Sequence, residues 1–252
     1  MHFIGPVRQT QRANTGIRLG QTEILADAGA AVRLDRVVDD LQRHARGRQL
    51  DHRDLVARHL VAGQAVDVSI NRPKWENELR AFTFISLPED EQIEFAIKTY
   101  PTHNGVTNQL LSLHAGDELI IGDVFGDIHY KGDGLFIAGG AGITPFLAIL
   151  SKLEKENKIG NNKLLFANKT KADIIHEEKF HQLLGKKFIN VLSDEQREGY
   201  EHGFISADII KKHIESPNSY FYLCGPPPMM NAIEKHLASL GIKEEYIVKE
   251  AF

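Results

Sequence analysis

Leu135-Phe136-Ile137-Ala138-Gly139-Gly140-Ala141-Gly142-Ile143-Thr144-Pro145 is the stretch that decides the fold of this chain. An apolar run enters a glycine cluster and then an amphipathic stretch. That order predicts a strand, a tight turn and a helix. The glycines let the backbone come close to a pyrophosphate. The N–H groups of the new helix, and the positive end of its dipole, face that anion. Pro145 falls in the first helical turn, where its missing N–H costs nothing. A glycine turn without a ligand has the same sequence, so support is needed from elsewhere in the chain.

Downstream, strands and helices alternate. Strand 135–139 leads to helix 143–155, strand 163–167 to helix 174–184 and strand 187–192 to helix 206–214. Strand 219–223 then leads to helix 227–239, and 245–250 closes as a strand. This pattern implies a parallel sheet covered on both faces. Upstream the period is different. Gln64–Ile70 alternates like a strand, Arg80–Ser86 and Gln92–Lys98 are two more, and Asn104–Leu113 reads as a short helix. Glu118–Ile121 and Phe125–Tyr130 follow, with Gly122 and Gly126 at the bends. Short antiparallel strands separated by turns suggest a barrel. The expected fold class is therefore β + α/β. An antiparallel barrel over 63–132 precedes a parallel-sheet domain over 133–252, with the boundary near Lys131-Gly132-Asp133-Gly134.

Three further segments accompany the glycine turn: Arg80-Ala81-Phe82-Thr83, Leu223-Cys224-Gly225-Pro226-Pro227-Pro228-Met229, and the final Glu250-Ala251-Phe252. In this order and spacing, the four segments resemble the ferredoxin–NADP reductase superfamily over roughly residues 63–252. They match its Arg-x-aromatic-Ser/Thr flavin motif, its Gly-x-Gly-x-x-Pro nucleotide motif, its Cys-Gly-Pro motif and its terminal Glu-x-aromatic. The resemblance implies FAD, and NADH or NADPH, as cofactors. It also implies an external electron acceptor: ferredoxin, flavodoxin or an oxygenase component.

The residue types suit those roles. Arg80 offers a planar charged fork for a diphosphate. Phe82 can stack on a flat ring from the same strand face. The resemblance places the Thr83 hydroxyl near flavin N5 and lines the flavin edge with Ala96, Ile97 and Lys98. Tyr100 packs on the adenine or ribose, or is a plain loop aromatic. Gly105, Val106 and Thr107 open a helix whose N–H groups can cap phosphates. Gly139, Gly140, Gly142, Thr144 and Pro145 form the nicotinamide-nucleotide turn. Cys224, Gly225 and Pro226 end a strand at its carboxyl end, where ligands bind in such sheets. The resemblance puts Cys224 beside the nicotinamide, as a contact and not as a covalent nucleophile. It sets Phe252 over the flavin face and Glu250 near Thr83 as a proton carrier. The catalytic set expected is thus Thr83, Cys224, Glu250 and Phe252. Ser193 and Asp194 follow the third parallel strand. A carboxylate at Asp194 repels a 2′-phosphate and accepts from a 2′-hydroxyl, which favours NADH. Lys169 and Lys171 pull toward NADPH, so the choice stays open.

Composition narrows the class. Charged residues are 25% and hydrophobics 42%, as in a globular protein. No apolar run approaches the roughly 20 residues that span a bilayer. No signal peptide is evident at Met1–Pro6, so no membrane partner and a cytoplasmic setting are expected. One cysteine, Cys224, excludes an internal disulfide and a thiolate-bound iron–sulfur cluster, which needs about four. The histidines show no paired metal-ligand spacing, and no metal is expected.

Residues 1–62 read differently. Residues 1–73 hold eleven arginines, no lysine and eight acids, whereas seventeen of the later basic residues are lysine. Nucleic-acid binding is not expected, because aspartates are interleaved and Phe3 is the one aromatic in 1–62. A helix-like stretch runs from Ala30 to Ala62. Such composition suits a divergent N-terminus or a segment foreign to the fold, and favours the second. It predicts at most one strand within 1–62, a barrel left open beside Val66 and Val68, and, as an alternative to the reductase, a non-catalytic fusion product.

Overall fold

The computed structural model describes residues 15–18, 21–25, 30–35, 61–90, 93–99, 104–114, 117–216 and 218–250. The first half is built from seven antiparallel strands in two sheets. β1 (Thr15–Arg18), β7 (Glu118–Phe125), β4 (Ala65–Ile70) and β5 (Arg80–Thr83) form one sheet in that order. β2 (Gln21–Leu25), β3 (Ala30–Asp35) and β6 (Ile93–Ile97) form the other. A bridge between Phe84 and Phe95 joins β5 to β6. On the other side only two residues separate β1 from β2, so one chain segment serves both sheets. β4 shows why the barrel folds: Val66, Val68 and Ile70 alternate inward and are at most 1% exposed, while Asp67 stays partly exposed. They pack with Phe84 and Phe95, whose rings lie 4.9 Å apart. Short helix α1 (Val106–Gln109) plugs this core with Val106 and continues as a 3₁₀ turn, Leu110–Ser112.

Several expectations are corrected here. Three strands lie within residues 1–62, not one at most. β1 pairs with β7, β3 with β6 and β2 with β3, and none with β4, both sides of which are taken by β5 and β7. The expected open edge beside Val66 and Val68 is therefore covered. A ladder is satisfied by backbone donors and acceptors, so an arginine-rich composition does not prevent pairing where an edge is free. Ala30–Asp35 is strand where helix was expected, and 36–60 lies outside the described residues. The two strands expected over 118–130 are one, β7, which runs through Gly122 and ends where Gly126 turns to φ +122°.

The second half is a six-stranded parallel sheet. Its strands are β8 (Gly134–Gly139), β9 (Lys163–Asn168), β10 (Phe188–Leu192), β11 (Glu201–His202), β12 (Tyr220–Cys224) and β13 (Ile247–Lys249). Their order is β11-β10-β9-β8-β12-β13. α2 (Thr144–Lys155) and α3 (Glu177–Leu184) cover one face through Phe146, Leu150 and Phe180. α4 (Ala207–His213) and α5 (Pro227–Ser239) cover the other through Ile209, Ile210, Ile233 and Leu237. β8 is buried along its whole length, as a central parallel strand must be. From β8 the chain walks outward to β11, then returns past β8 to β12. The switch point lies between β8 and β12, at their carboxyl ends.

Barrel and sheet share a core: Ala62, Leu87 and Ile128 pack into the α2 side of the sheet. The linker is clasped by Tyr222, whose hydroxyl accepts from the N–H groups of Lys131 (2.9 Å) and Gly132 (3.0 Å) and donates to the Gly132 carbonyl (2.7 Å). No helix among the described residues is long and apolar enough to cross a membrane.

Candidate functional site

At the switch point β8 runs into a 3₁₀ turn, Gly140–Ile143, and then into α2. Gly140 has φ +53°, a left-handed conformation that favours glycine, and a Cβ there would meet nothing within 4 Å. Its outer face is open. Gly142 does the opposite task. A Cβ on it would lie 2.5 Å from the Cys224 carbonyl carbon and 2.7 Å from the Gly225 nitrogen. A Cβ on Gly139 would strike the Met229 sulfur and stand 3.0 Å from Pro226 Cδ. Two glycines thus seat the turn against Cys224–Pro226, and the third leaves open space beside the backbone. The Thr144 hydroxyl donates to the Ala141 carbonyl at 3.1 Å and fixes the turn. Pro145 is buried at the start of α2.

Cys224 closes the floor. Burial pushes its thiol up to about 12, and the Glu250 carboxylate adds to the shift. The sulfur therefore stays a neutral thiol, consistent with a contact and not a nucleophile. Glu250 follows β13, which is tied to α5 by the Lys249–Glu234 pair at 2.6 Å. Burial raises the Glu250 carboxyl, and nearby Asp127 raises it further. The carboxylate rests against Gly126, at 3.0 Å from where a Cβ would stand. Gly126 in turn lies beside Ala65, the β4 residue paired with Thr83. Glu250 is thus on the barrel seam with Cys224, while Thr83 is one strand further on. Phe252 and Tyr100 lie outside the described residues.

The loops after β9 and β10 are laced together. Ser193 N–H donates to the Asn168 carbonyl (3.0 Å), and Asp194 N–H to the Lys169 carbonyl (2.9 Å). The Ser193 hydroxyl donates to the Asp194 carboxylate at 2.6 Å, and Lys171 N–H to Glu195 at 2.8 Å. Asp194 is exposed. Lys171 lies 4.0 Å from Glu177, and Arg197 3.1 Å from Glu195.

On the barrel side, Arg80 is exposed at the start of β5. Its guanidinium donates to the Leu79 carbonyl at 2.7 Å and stands 3.7 Å from Glu78. It keeps donors free for a diphosphate. Phe82 is half-buried, 6.2 Å from Phe95, and Thr83 is partly exposed beside it. Gly105, before α1, leaves open space where a Cβ would stand. The Val106 side chain is buried in the barrel, so backbone is what this segment offers a ligand, with the partly exposed Thr107 beside it. Ile97 is also core, and Ala96 is partly exposed. Lys98 reaches away to Asp173, at 2.8 Å. The sequence motifs missed Asp173, Gly126 and Asp127. Thr170-Lys171-Ala172-Asp173 carries a capping-box pattern that points to Asp173, and the structure forms that box. Among the described residues, no group of three or more His, Cys, Asp and Glu could hold a metal ion.

A family model described as an oxidoreductase NAD-binding domain matches residues 136–235. The NADH-cytochrome b5 reductase 1 of Coccidioides immitis is 30% identical over 210 residues, covering 76% of this chain and 68% of that protein. The chain belongs to the ferredoxin–NADP reductase superfamily. The reductase of the same name from Pyricularia oryzae is 31% identical over 206 residues, 73% of this chain and 66% of that one. The cytochrome b5 reductase domain of Ulva prolifera nitrate reductase shares the fold, with TM-score 0.74 at 22% identity over 94% of this chain and 97% of that one. The chain spans about two thirds or less of the length of several relatives it matches. The matched segment is an oxidoreductase NAD-binding domain, and the two groups that the flavin and nucleotide motifs call for are FAD and a nicotinamide nucleotide. The residues present fit both groups: the open face at Gly140 suits a pyrophosphate, and Arg80 with the Gly105 opening suits a flavin diphosphate.

Proposed function

We propose that this chain takes hydride from NADH and delivers electrons one at a time to an external haem carrier of the cytochrome b5 kind. The observation that carries it is the meeting of the Gly140–Gly142 turn, Cys224 and Glu250 at the switch point, facing the barrel seam. Bound FAD supplies the two-electron to one-electron conversion. The protein's own residues bind and orient. The Gly140 face and the start of α2 hold the nucleotide's pyrophosphate, with Gly139, Thr144 and Pro145 shaping the turn. Cys224, Gly225 and Pro226 set the depth to which the nicotinamide enters. Arg80, Phe82 and the Gly105–Thr107 opening hold the flavin. The Thr83 hydroxyl donates near its reactive edge, aided by the backbone of Ala96 and Ile97. Glu250, whose carboxyl is shifted upward by burial and by Asp127, is the group assigned to carry a proton near the seam. Phe252 and Tyr100 complete the face and the adenosine end in this reading.

NADH is favoured over NADPH because the exposed Asp194, pinned by Ser193, presents a carboxylate where a 2′-phosphate would lie. Relatives named for NADH point the same way. With one cysteine, these 252 residues supply no thiolate set for an iron–sulfur cluster, and the electrons are assigned here to a separate carrier. The deciding experiment is anaerobic mixing of the purified, FAD-loaded protein with NADH or NADPH, followed by cytochrome b5, ferredoxin, flavodoxin or an oxygenase component. Bleaching of the flavin band by NADH and rapid cytochrome b5 reduction are expected. Asp194→Arg is expected to move kcat/KM toward NADPH. A folded protein that stays colourless with added FAD would defeat the flavoenzyme reading, and a native preference for NADPH above about tenfold, some 1.4 kcal/mol, would defeat the assignment of Asp194.

A further inference from the structure

Two lysines form ion pairs between the barrel and the parallel sheet among the described residues. Lys155 on α2 meets Glu89 (3.0 Å) and Asp90 (3.7 Å), and its side chain is 51% exposed. Lys98, just past β6, meets Asp173 at 2.8 Å, with the two side chains only 19% and 28% exposed. The second pair differs in what it is attached to. Asp173 gives one oxygen to Lys98. Its other oxygen accepts from the Thr170 N–H (3.1 Å) and the Thr170 hydroxyl (2.9 Å). Thr170 sits between the two residues that hold the next loop. The Lys169 carbonyl accepts from Asp194 N–H, and Lys171 N–H donates to Glu195. Polar contacts, joined through the backbone on either side of Thr170, therefore connect the residue after β6 to the loop that carries Asp194.

We propose that Lys98 and Asp173 are a positioning pair for nucleotide recognition: the barrel ammonium fixes the Thr170–Asp173 turn and, through it, the Ser193–Glu195 loop that reads the adenosine ribose. This rests on the reading above that Asp194 meets the 2′ position. The pair makes the flavin-side domain a determinant of which nucleotide the other domain prefers. Burial alone would lift the Asp173 carboxyl, but Lys98 and the Thr170 donors outweigh it and hold the carboxyl below the ordinary aspartate range. Lys98 was expected at the flavin edge. Its observed reach to Asp173 gives it a partner across the seam.

The test uses the FAD-loaded protein and titration calorimetry with ADP-ribose and 2′-phospho-ADP-ribose, so that binding is read without turnover. Asp173→Asn keeps an oxygen for Thr170 and removes the charge. Lys98→Met keeps the stem and removes the ammonium. Each is expected to weaken ADP-ribose binding about fivefold to tenfold, within the usual range of site-to-site coupling, and to change the ratio between the two ligands. The double variant is expected to lose no more than either single one. Lys98→Arg is expected to retain affinity, and so is Lys155→Met, which breaks the other interdomain pair. Additive losses in the double variant, unchanged affinity in Asp173→Asn, or an equal loss in Lys155→Met would overturn the proposal. Wild type that binds neither ligand would instead bring down the nucleotide reading itself, and this proposal with it.

Discussion

The three glycines of the nucleotide turn separate packing from ligand access, and an alanine series should resolve the two. At Gly142 the new methyl carbon would stand 2.5 Å from the Cys224 carbonyl carbon and 2.7 Å from the Gly225 nitrogen. Ordinary contact begins near 3.4 Å, so about 0.9 Å of backbone movement is needed. No rotamer can relieve it, because the atoms struck are main chain. Overpacking of this kind costs about 1–3 kcal/mol. In a chain of this size each kcal/mol lowers Tm by about 2–4 °C, so Gly142→Ala should lose about 2–12 °C. It should also bind nucleotide poorly, because the turn is pushed off Cys224. Gly139→Ala strikes the Met229 sulfur, the flexible end of a side chain that can move aside, so its loss should be smaller. Gly140→Ala meets no atom within 4 Å, and its penalty is the left-handed backbone alone, about 1–2 kcal/mol. Its methyl would project into the face assigned to the pyrophosphate. Nucleotide affinity should then fall about tenfold or more, while Tm drops by about 2–8 °C from the backbone penalty alone. Thermal unfolding of the FAD-loaded protein and calorimetry with NAD⁺ check both columns. Wild-type affinity in Gly140→Ala would refute the assignment of that face, and an unchanged Tm in Gly142→Ala would refute the packing argument.

Other outcomes follow from the same site. With its thiol raised to about 12, Cys224 should react with iodoacetamide at pH 8 roughly a thousandfold more slowly in the folded protein than in urea, because the thiolate is the nucleophile; comparable rates would contradict its burial. The Glu250 carboxyl is raised by burial and by Asp127, so folding favours its protonated form. That contribution is present below the ordinary glutamate value and is lost as pH rises through the raised one. Glu250→Gln should therefore raise Tm at pH 8 relative to wild type and leave it close to wild type at pH 4, and the reverse order would show the sign to be wrong. Arg80→Ala should weaken flavin retention by about 1.5–3 kcal/mol, the scale of a hydrogen bond to a charged group, as read by equilibrium dialysis of FAD. Retention equal to wild type would remove Arg80 from the flavin site.

Much of the sheet half was legible because its strands are buried on both faces. Leu135–Ala138 and Phe221–Leu223 are continuous apolar runs, and glycine or proline ends each of them. The helix 227–239 agrees residue for residue with α5. The barrel was less legible. β5 ends at Thr83, short of the expected Ser86, because Phe84 leaves the β4 ladder to bridge Phe95. β1, β2 and β3 were missed because their place is set by free edges, on β7 for β1, on β6 for β3 and on β3 for β2, which composition does not encode. β11 is two residues long and carries no pattern at all. In the site, the turn, Cys224 and Glu250 were visible as motifs. Lys98 and Asp173 are 75 positions apart, and only the packing of barrel on sheet reveals the pair.

The distance between Thr83 and Glu250 constrains how the seam can handle a proton. The motif pair invites the picture of a hydroxyl and a carboxyl in direct contact. In the fold, Ala65 on β4 has Thr83 opposite it on one side and Phe125 opposite it on the other. Glu250 rests on Gly126, the residue that follows Phe125. The backbones carrying the two expected contacts therefore flank β4, about two strand spacings or 10 Å apart. Burial raises the Glu250 carboxyl, and repulsion from a different neighbour, Asp127, raises it further. In the proposed reading, a carboxyl so placed serves the Cys224 side of the crevice and Thr83 the barrel side. The seam between barrel and sheet, crossed by the Lys98–Asp173 pair, then sets the separation between the two groups.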